Sequence, residues 1–546
     1  MKTKIFSYLI LATIVLTGCT EFLTPEPLAT EKLSTYFKND TAAVTVVNAA
    51  YVPLQWQLGG TYSNEWFVGD VVSDDALKGG ASISDMQVVG LMENFQTTAN
   101  NVYLESFYNI NYQGIFRANF AMEQINAMPE SAWASMANKS RLIGESKFLR
   151  AFYHFRLMRL FGKIIKGDRT FNQNDVQMAR APKADIVNFI RKDLDEAIAA
   201  LPLKSDYPVS ELGRATKGAA QAMLMRVLLF NILDSPNKTK DYERVMALGD
   251  SIIKSTQYTL CTNYSDIFKV GYISDNGTYR PVFVKENGTE SVFEIQYMTE
   301  ATSDYGGMGR TRGNFDPRMT RTRAGSWGWG FDRPTKDLYD AFETGDIRRD
   351  EAILPYDAGD VYGGDAEHNY YNGYHNRKTS LVYKQSNGKL TYLGLAHDTR
   401  SPENSIVIRY ADVLLMYAEA ACELNLIDEG KAKLNLVRLR AKNSTLNPAD
   451  PTILPPFPYG TYTENQADLR AAIRHERRVE FAMEGQRWFD LVRWGIAGEV
   501  MNAYKEKYKD QEGKDMSAFV VGKNELFPIP ETQLNANTLL DQNNGY

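Results

Sequence analysis

Apolar residues recur at three- and four-residue spacing along most of this chain, the period of helices that bury one face. Helical stretches are expected at Asp40 to Val52 and around Tyr103 to Ala127. In GESKFLRAFYHFRLMRLFG, Gly144, Phe148, Ala151, Phe155, Met158 and Gly162 form one stripe, and Leu149, Tyr153, Leu157 and Leu160 form a second. Two apolar faces mean a helix held between neighbours. Val187, Ile190, Leu194, Ala197, Ile198 and Leu201 mark another helix, with Asp185 as its expected N-cap. Ala220, Met223, Leu224, Val227 and Leu228 mark its partner. Ala411, Leu414, Leu415, Ala418, Ala421 and Cys422 repeat the pattern downstream, followed by Lys431 to Ala441. Helix pairs with small residues at close-approach positions are similar to tetratricopeptide units. The fold class predicted is therefore mainly α, with tetratricopeptide-like pairs as scaffold.

Two stretches depart from this pattern. Between Cys261 and Pro402 the chain turns to glycine, tyrosine and asparagine, with short strand signals such as Ser291 to Tyr297, where Phe293, Ile295 and Tyr297 share a face. This predicts a loop-rich insertion with a few short strands, and loops held by a rigid frame are where binding usually resides. The second stretch, Ile473 to Gly495, interleaves Arg474, Glu476, Arg477, Arg478, Glu480, Glu484, Arg487, Asp490 and Arg493 with Val479, Phe481, Trp488 and Leu491. Large apolar residues on nearly every side require that several of these charges be covered and paired. Arg477 with Glu480 and Arg487 with Asp490 have helical spacing, and Gly485 and Gly495 sit where helices commonly stop. A structural ion-pair network is expected rather than a catalytic centre.

The first residues set the compartment. Lys2 and Lys4 precede the apolar run Ile5 to Leu16, and Leu16-Thr17-Gly18-Cys19 follows. That pattern predicts a lipoprotein signal peptide over residues 1–18, with Cys19 as the acylated first residue of the mature chain. No later apolar stretch approaches transmembrane length, so the membrane is met through the lipid anchor only. Pro25 and Pro27 make residues 19–35 a lipid-anchored spacer. The remaining division is an N-terminal helical part over residues 36–260, the insertion over 261–403 with the expected ligand face, and a C-terminal helical part over 404–546. A formal charge of −6, made two units more negative by loss of Lys2 and Lys4, argues against nucleic acid as partner. Cys261 and Cys422 are too few for a disulfide framework.

Taken in order, the blocks Cys19-Thr-Glu-Phe-Leu, FLRAFYHFRLMRLFG, TKGAAQAMLMRVLLFN, ESVFEIQY, IRYADVLLMYAEA, RHERRVEFAMEGQRWFDLVRWG and GKNELFPIPETQLNANTLLDQNNGY resemble the SusD-like (SusD/RagB) nutrient-binding lipoproteins over essentially the whole chain. The resemblance implies four tetratricopeptide-like helix pairs and an outer-membrane lipoprotein on the cell surface of a Gram-negative bacterium. It also implies a SusC-like TonB-dependent transporter as partner, and binding of an oligosaccharide or other nutrient without cleavage. It does not name the glycan.

A sugar offers an apolar face and a rim of hydroxyls, so a site needs flat aromatics and fixed polar groups. Two regions supply that mixture. One is Tyr62 to Asp75, with Trp66 as platform and Asn64, Asp70, Asp74 and Asp75 as hydroxyl partners. The other runs from Tyr305 to Trp329, with Arg310, Arg312, Trp327 and Trp329, and continues to Tyr370, Tyr371, Tyr374, His375 and Arg377. Trp327, set among glycines in Gly325-Ser-Trp-Gly-Trp-Gly, is the preferred platform. The alternative is that Trp66 and Trp329 belong to the core and the acids cap turns. No cofactor is expected. Asp357, Asp360 and Asp365 carry oxygens of the kind calcium takes, but solvated turn acids are several times commoner. His475-Glu476 lacks the second histidine of a zinc helix, because Val479 stands there. Paired carboxylates for glycoside hydrolysis do not show in a sequence so rich in Asp and Glu, which leaves a surface glycosidase and a ligand-free helical scaffold as alternative readings.

Overall fold

The computed structural model describes residues 36–57, 62, 64–268, 270–275, 278–283, 286–298, 313–321, 328–355, 373–379, 382–384, 390–392, 401–511 and 515–546. Helices dominate. The scaffold consists of α1 (Asp40–Tyr51), α2 (Val102–Ala127), α3 (Met136–Phe161), α4 (Lys183–Ala200), α5 (Lys217–Phe230) and α6 (Lys238–Lys254), then α7 (Tyr410–Glu423), α8 (Ile427–Asn443) and α9 (Gln466–Glu480). Each packs on the next in chain order, and α6 packs on α7 although more than 150 residues separate them. The core therefore grows along a stack of tetratricopeptide-like helix pairs, and the loop-rich stretch leaves between two adjacent helices of that stack.

The local chemistry follows the sequence closely. Asn39, Asn101, Ser135, Thr216, Asn237 and Asn465 each cap a scaffold helix by accepting a backbone N–H. Helix α4 starts earlier than expected: Pro182 is its N-cap and Asp185 lies in the first turn, since a proline without an N–H is suited to a helix start. Both stripes of α3 are buried, as two neighbours require. At Gly114 of α2 a Cβ would lie 2.4 Å from the Tyr153 ring, so the α2–α3 approach depends on the missing side chain. Cys261 and Cys422 are both buried and are not joined in a disulfide.

The arginine–glutamate stretch is interior. Helix α9 ends at Glu480, five residues before Gly485, and α10 (Arg487–Arg493) follows a joint in which Gly485 has φ +69°. Gly495, φ +70°, follows α10 directly. Arg493 pairs locally with Asp490 at 2.8 Å, but Arg477 and Arg487 take partners other than the local ones that spacing suggested. Arg477 binds Asp412 at 2.7 Å and Asp490 at 2.9 Å, and Arg487 binds Asp74 at 2.8 Å. Glu480 accepts from Arg348, Arg409 and Arg440, while Arg409 also reaches Glu484 at 2.9 Å and Glu290 at 3.0 Å. Arg348, Arg409 and Arg440 lie on three separate segments, so Glu480 ties the middle of the insertion and the strand Ser405–Arg409 that follows it to α8 and α9.

These carboxylates give the fold a dependence on acid. Burial pushes Glu343 up, but His475 and Arg438 bring it down to about 2. Burial likewise opposes Arg159 and Arg156 at Glu65, which also settles at about 2. Their unfolded values are about 4.3. A depressed folded value gives stability that is complete above the unfolded value and is lost as pH falls through the folded one. Thermal midpoints measured across this range should fall between about pH 5 and pH 2. A midpoint that stays level over that interval would contradict the assignment.

At Gly69 a Cβ would lie 2.0 Å from the Gly485 carbonyl oxygen, a backbone atom that cannot rotate away. Gly69→Ala should destabilise by about 1–3 kcal/mol in urea unfolding, by separating the N-terminal segment from the α9–α10 joint.

Candidate functional site

An open cleft of about 600 Å³ lies beside Ala81, Ser82, Ser84, Asp85, Arg318, Gly328 and Trp329. Two short strands create it: β1 (Ala76–Gly79) pairs antiparallel with β2 (Phe331–Pro334), Gly79 opposite Phe331. The Gly80 N–H donates to the Gly330 carbonyl at 2.8 Å, which brings the 81–85 turn beside residues 328–330. A buried lysine shapes that turn. Lys78 Nζ donates to the carbonyls of Gly79 at 3.0 Å, Ser82 at 3.0 Å and Asp85 at 2.6 Å. Asp85 Oδ2 closes the turn by accepting the Ala81 N–H at 2.8 Å. Burial lowers the Lys78 ammonium below its ordinary value.

The opposite wall comes from the insertion. The Trp329 N–H donates to the Arg318 carbonyl at 3.0 Å, and the Gly330 N–H to the Arg321 carbonyl at 2.7 Å, so the tryptophan is tied to the short helix Asp316–Thr320. Phe315 meets the Trp329 ring edge-on at 5.1 Å and Phe331 at 6.5 Å. The ring is half-buried and braced. Arg318 is half-buried too, and its Nε and Nη1 have no hydrogen-bond partner among the described residues. A half-open aromatic face with two exposed serine hydroxyls and the half-buried Arg318 beside it can meet both the C–H face and the hydroxyl rim of a sugar.

The other expected site residues are distributed differently. Trp66 is 7 % exposed, and its indole N–H donates to Asp316 Oδ1 at 2.9 Å, so it is part of the core and not a surface platform. Asn64 is buried and donates to the same carboxylate. Asp70 accepts the Gly485 N–H with both oxygens at 2.9 Å, and Asp74 accepts from Arg487 and Arg478. Asp75 is bound by Arg478 at 2.8 Å. These acids serve the ion-pair network because their segment packs against the α9–α10 joint, and they do not face the cleft. Burial, then Asp332 and Asp75, push Asp70 well above the usual carboxylate range.

Arg377 pairs with Glu351 at 3.1 Å and is not among the residues lining the cleft. His375 is buried, and Tyr374 stacks on Tyr339 at 4.8 Å. Trp327, Arg310, Arg312, Tyr370 and Tyr371 lie outside the described residues, as do Cys19 and the acids Asp357, Asp360 and Asp365. Among the described residues no helix is long and apolar enough to cross a membrane, and no group of three or more His, Cys, Asp or Glu is placed to hold a metal ion.

Sequence reasoning missed Ser82, Ser84, Asp85 and Arg318. The Asp-closed turn was visible in ASISD, but its place opposite Trp329 depends on the β1–β2 pairing across more than 240 residues. Arg318 was inside the expected region, yet nothing local distinguishes it from the other arginines of that stretch.

Comparison with known proteins places this architecture. The model of the SusD family matches residues 365–546, and one described as starch-binding associating with outer membrane matches residues 40–229. A SusD-like protein of Bacteroides ovatus is 25 % identical, covering 98 % of this chain and 93 % of the relative. The starch-binding protein SusD of Bacteroides thetaiotaomicron is 26 % identical, covering 82 % and 78 %. The solved structure of a laminarin-binding SusD-like protein superposes with a TM-score of 0.71 at 27 % identity, covering 93 % of this chain and all of that one. The two family matches, the relatives and the shared helical fold together support a SusD-like family protein.

Proposed function

We propose that this chain is a lipid-anchored receptor of the outer cell surface that holds an oligosaccharide in the Trp329 cleft. It passes that ligand, uncleaved, to a SusC-like TonB-dependent transporter. The observation that carries the reading is the braced, half-exposed Trp329 ring in a cleft it shares with Arg318 and the exposed hydroxyls of Ser82 and Ser84. Relatives named for laminarin and starch binding support a glycan as ligand, and the family description of outer-membrane association supports the location. Acylation of Cys19 and the 19–35 spacer would hold the cleft above the membrane. Asp85 is the single carboxylate among the described residues of the cleft, and its Oδ2 is engaged within its own turn. Hydrolysis of a glycoside uses two carboxyl groups facing across the bond, so this lining favours capture over cleavage.

A weak site suits such a role, since a receptor coupled to an importer works at high effective concentration. The test is isothermal titration of the purified protein against a polysaccharide panel that includes laminarin and starch, with reducing-sugar assay of the same mixtures. Binding without product is expected. Release of sugar would replace this reading with a hydrolase, and absence of any bound glycan would leave a scaffold. For the transporter step, a barrel protein should co-purify from detergent extracts of the native organism.

A further inference from the structure

A second, enclosed site is separate from the cleft. Behind Trp66 lies a cavity of about 180 Å³, walled by Asn64, Asp316, Glu403, Glu286, Asp332 and Tyr297, with Leu54, Phe152, Ile295 and Met483 as its apolar side. It exceeds the space one water needs roughly tenfold. Half-buried Glu286, Thr379, Glu403 and Ile406 form its rim.

Several polar atoms on its wall make no hydrogen bond, carboxylate and amide oxygens among them. Asn64 and Asp332 are 2 % and 1 % exposed, yet Oδ1 of each has no hydrogen-bond partner, and neither has Oε2 of Glu403. All three are acceptors in the amide or ionised form. The cations on the wall are already committed: Lys378 binds Glu484 at 2.6 Å, and Arg156 binds Glu65 at 2.7 Å. The remaining carboxylates rest on neutral donors. Asp316 accepts from Gln57 and Trp66, each at 2.9 Å, and from Asn64. Glu286 accepts the Asn404 N–H at 2.7 Å, Glu294 accepts from Asn404 Nδ2 at 3.0 Å, and Asp332 accepts from Asn376 at 2.7 Å. Arg321 is the charge that opposes Glu403. Buried acceptors left unmade are costly, and buried carboxylates require countercharge.

We propose that this cavity is a ligand site for a small molecule that carries a protonated amine beside an apolar face, an amino sugar being the simplest such compound. Geometry decides against a bare metal ion. Among the described residues the acids are spread over the wall and do not converge as three ligands, which suits a body of several atoms with one ammonium and adjacent hydroxyl donors. The ammonium would meet Glu403 Oε2 and Asp332 Oδ1, and a hydroxyl would donate to Asn64 Oδ1. The carbon skeleton would lie along Leu54, Phe152 and Ile295. Burial raises Glu286 to about 7 and Asp332 to about 8, and a nearby ammonium would favour their ionised forms.

The experiment is isothermal titration of the full chain in detergent with glucosamine, glucose and N-acetylglucosamine at pH 7. Glucosamine should bind at least about tenfold more tightly than either neutral sugar. Glu403→Gln, a rim position whose lost charge leaves no ion pair broken, should weaken glucosamine by about tenfold or more, and Trp329→Ala should leave it unchanged. Glu286→Gln and the ligand-induced rise in thermal midpoint of the wild-type chain serve as second readouts should Glu403→Gln fold poorly. Equal affinity for the amine and the neutral sugars, no binding of any of the three, or loss of binding in Trp329→Ala would each overturn the proposal. Because the cleft variant is a separate arm, failure here is distinguishable from failure of the glycan reading.

Discussion

Glu480→Gln is expected to destabilise the folded chain by about 3–5 kcal/mol, seen as a lower urea midpoint with an unchanged m-value. The glutamate is fully buried and accepts from Arg348, Arg409 and Arg440. Burial alone would raise its pKa, and Arg440, Arg409 and Arg348 together hold it well below the usual range. The amide keeps the shape but removes the charge that three guanidiniums share, and turns an N–H₂ toward at least one of them. Arg409 retains Glu290 and Glu484, and Arg348 retains Asp346 and Glu476, so part of the network survives and outright unfolding is not expected. Glu506→Gln, which removes an exposed partner of Lys509, is the control and should leave the midpoint in place. If Glu480→Gln were as stable as wild type, the network would be fixing geometry without contributing net stability, an outcome known for some buried ion groups.

Glycan affinity is where the second large effect should appear. One sugar face of roughly 60 Å² contributes about 1.5 kcal/mol at about 25 cal/mol per Å², so Trp329→Ala should weaken the captured oligosaccharide by about tenfold. Arg318→Ala removes a half-buried guanidinium from the cleft wall, and a hydrogen bond to a charged group contributes about 1.5–3 kcal/mol. A loss of tenfold to a hundredfold is expected from that variant, read by titration at constant ionic strength. Neither change should shift the thermal midpoint much, because Arg318 is not paired and the Trp329 ring is half open. Trp66→Phe should do the reverse. It leaves Asp316 one donor short and should cost about 1–3 kcal/mol of stability without changing cleft affinity. Unchanged glycan binding in both cleft variants would move the site elsewhere on the molecule.

The contrast between Trp66 and Trp329 shows where sequence reading reached its end. Both stand among polar and glycine-rich neighbours, and both looked like platforms. Trp66 is covered because its segment docks on the α9–α10 joint, with Gly69 against Gly485 and Asp70 on the Gly485 N–H. That contact joins residues 415 positions apart, and no local pattern encodes it.

By itself the sequence determined the helix pairs and the presence of a buried charged segment. Both depend on residues within one or two helical turns, where periodicity and side-chain type decide the outcome. Tertiary structure alone decided which carboxylate meets which arginine, which tryptophan remains half open, and which acceptors are left without donors. Arginine and aspartate pair with whatever chain segment arrives beside them. Such choices are made by packing between distant segments, so the same residue types became framework at Asp74 and Arg478 and an open cleft wall at Arg318.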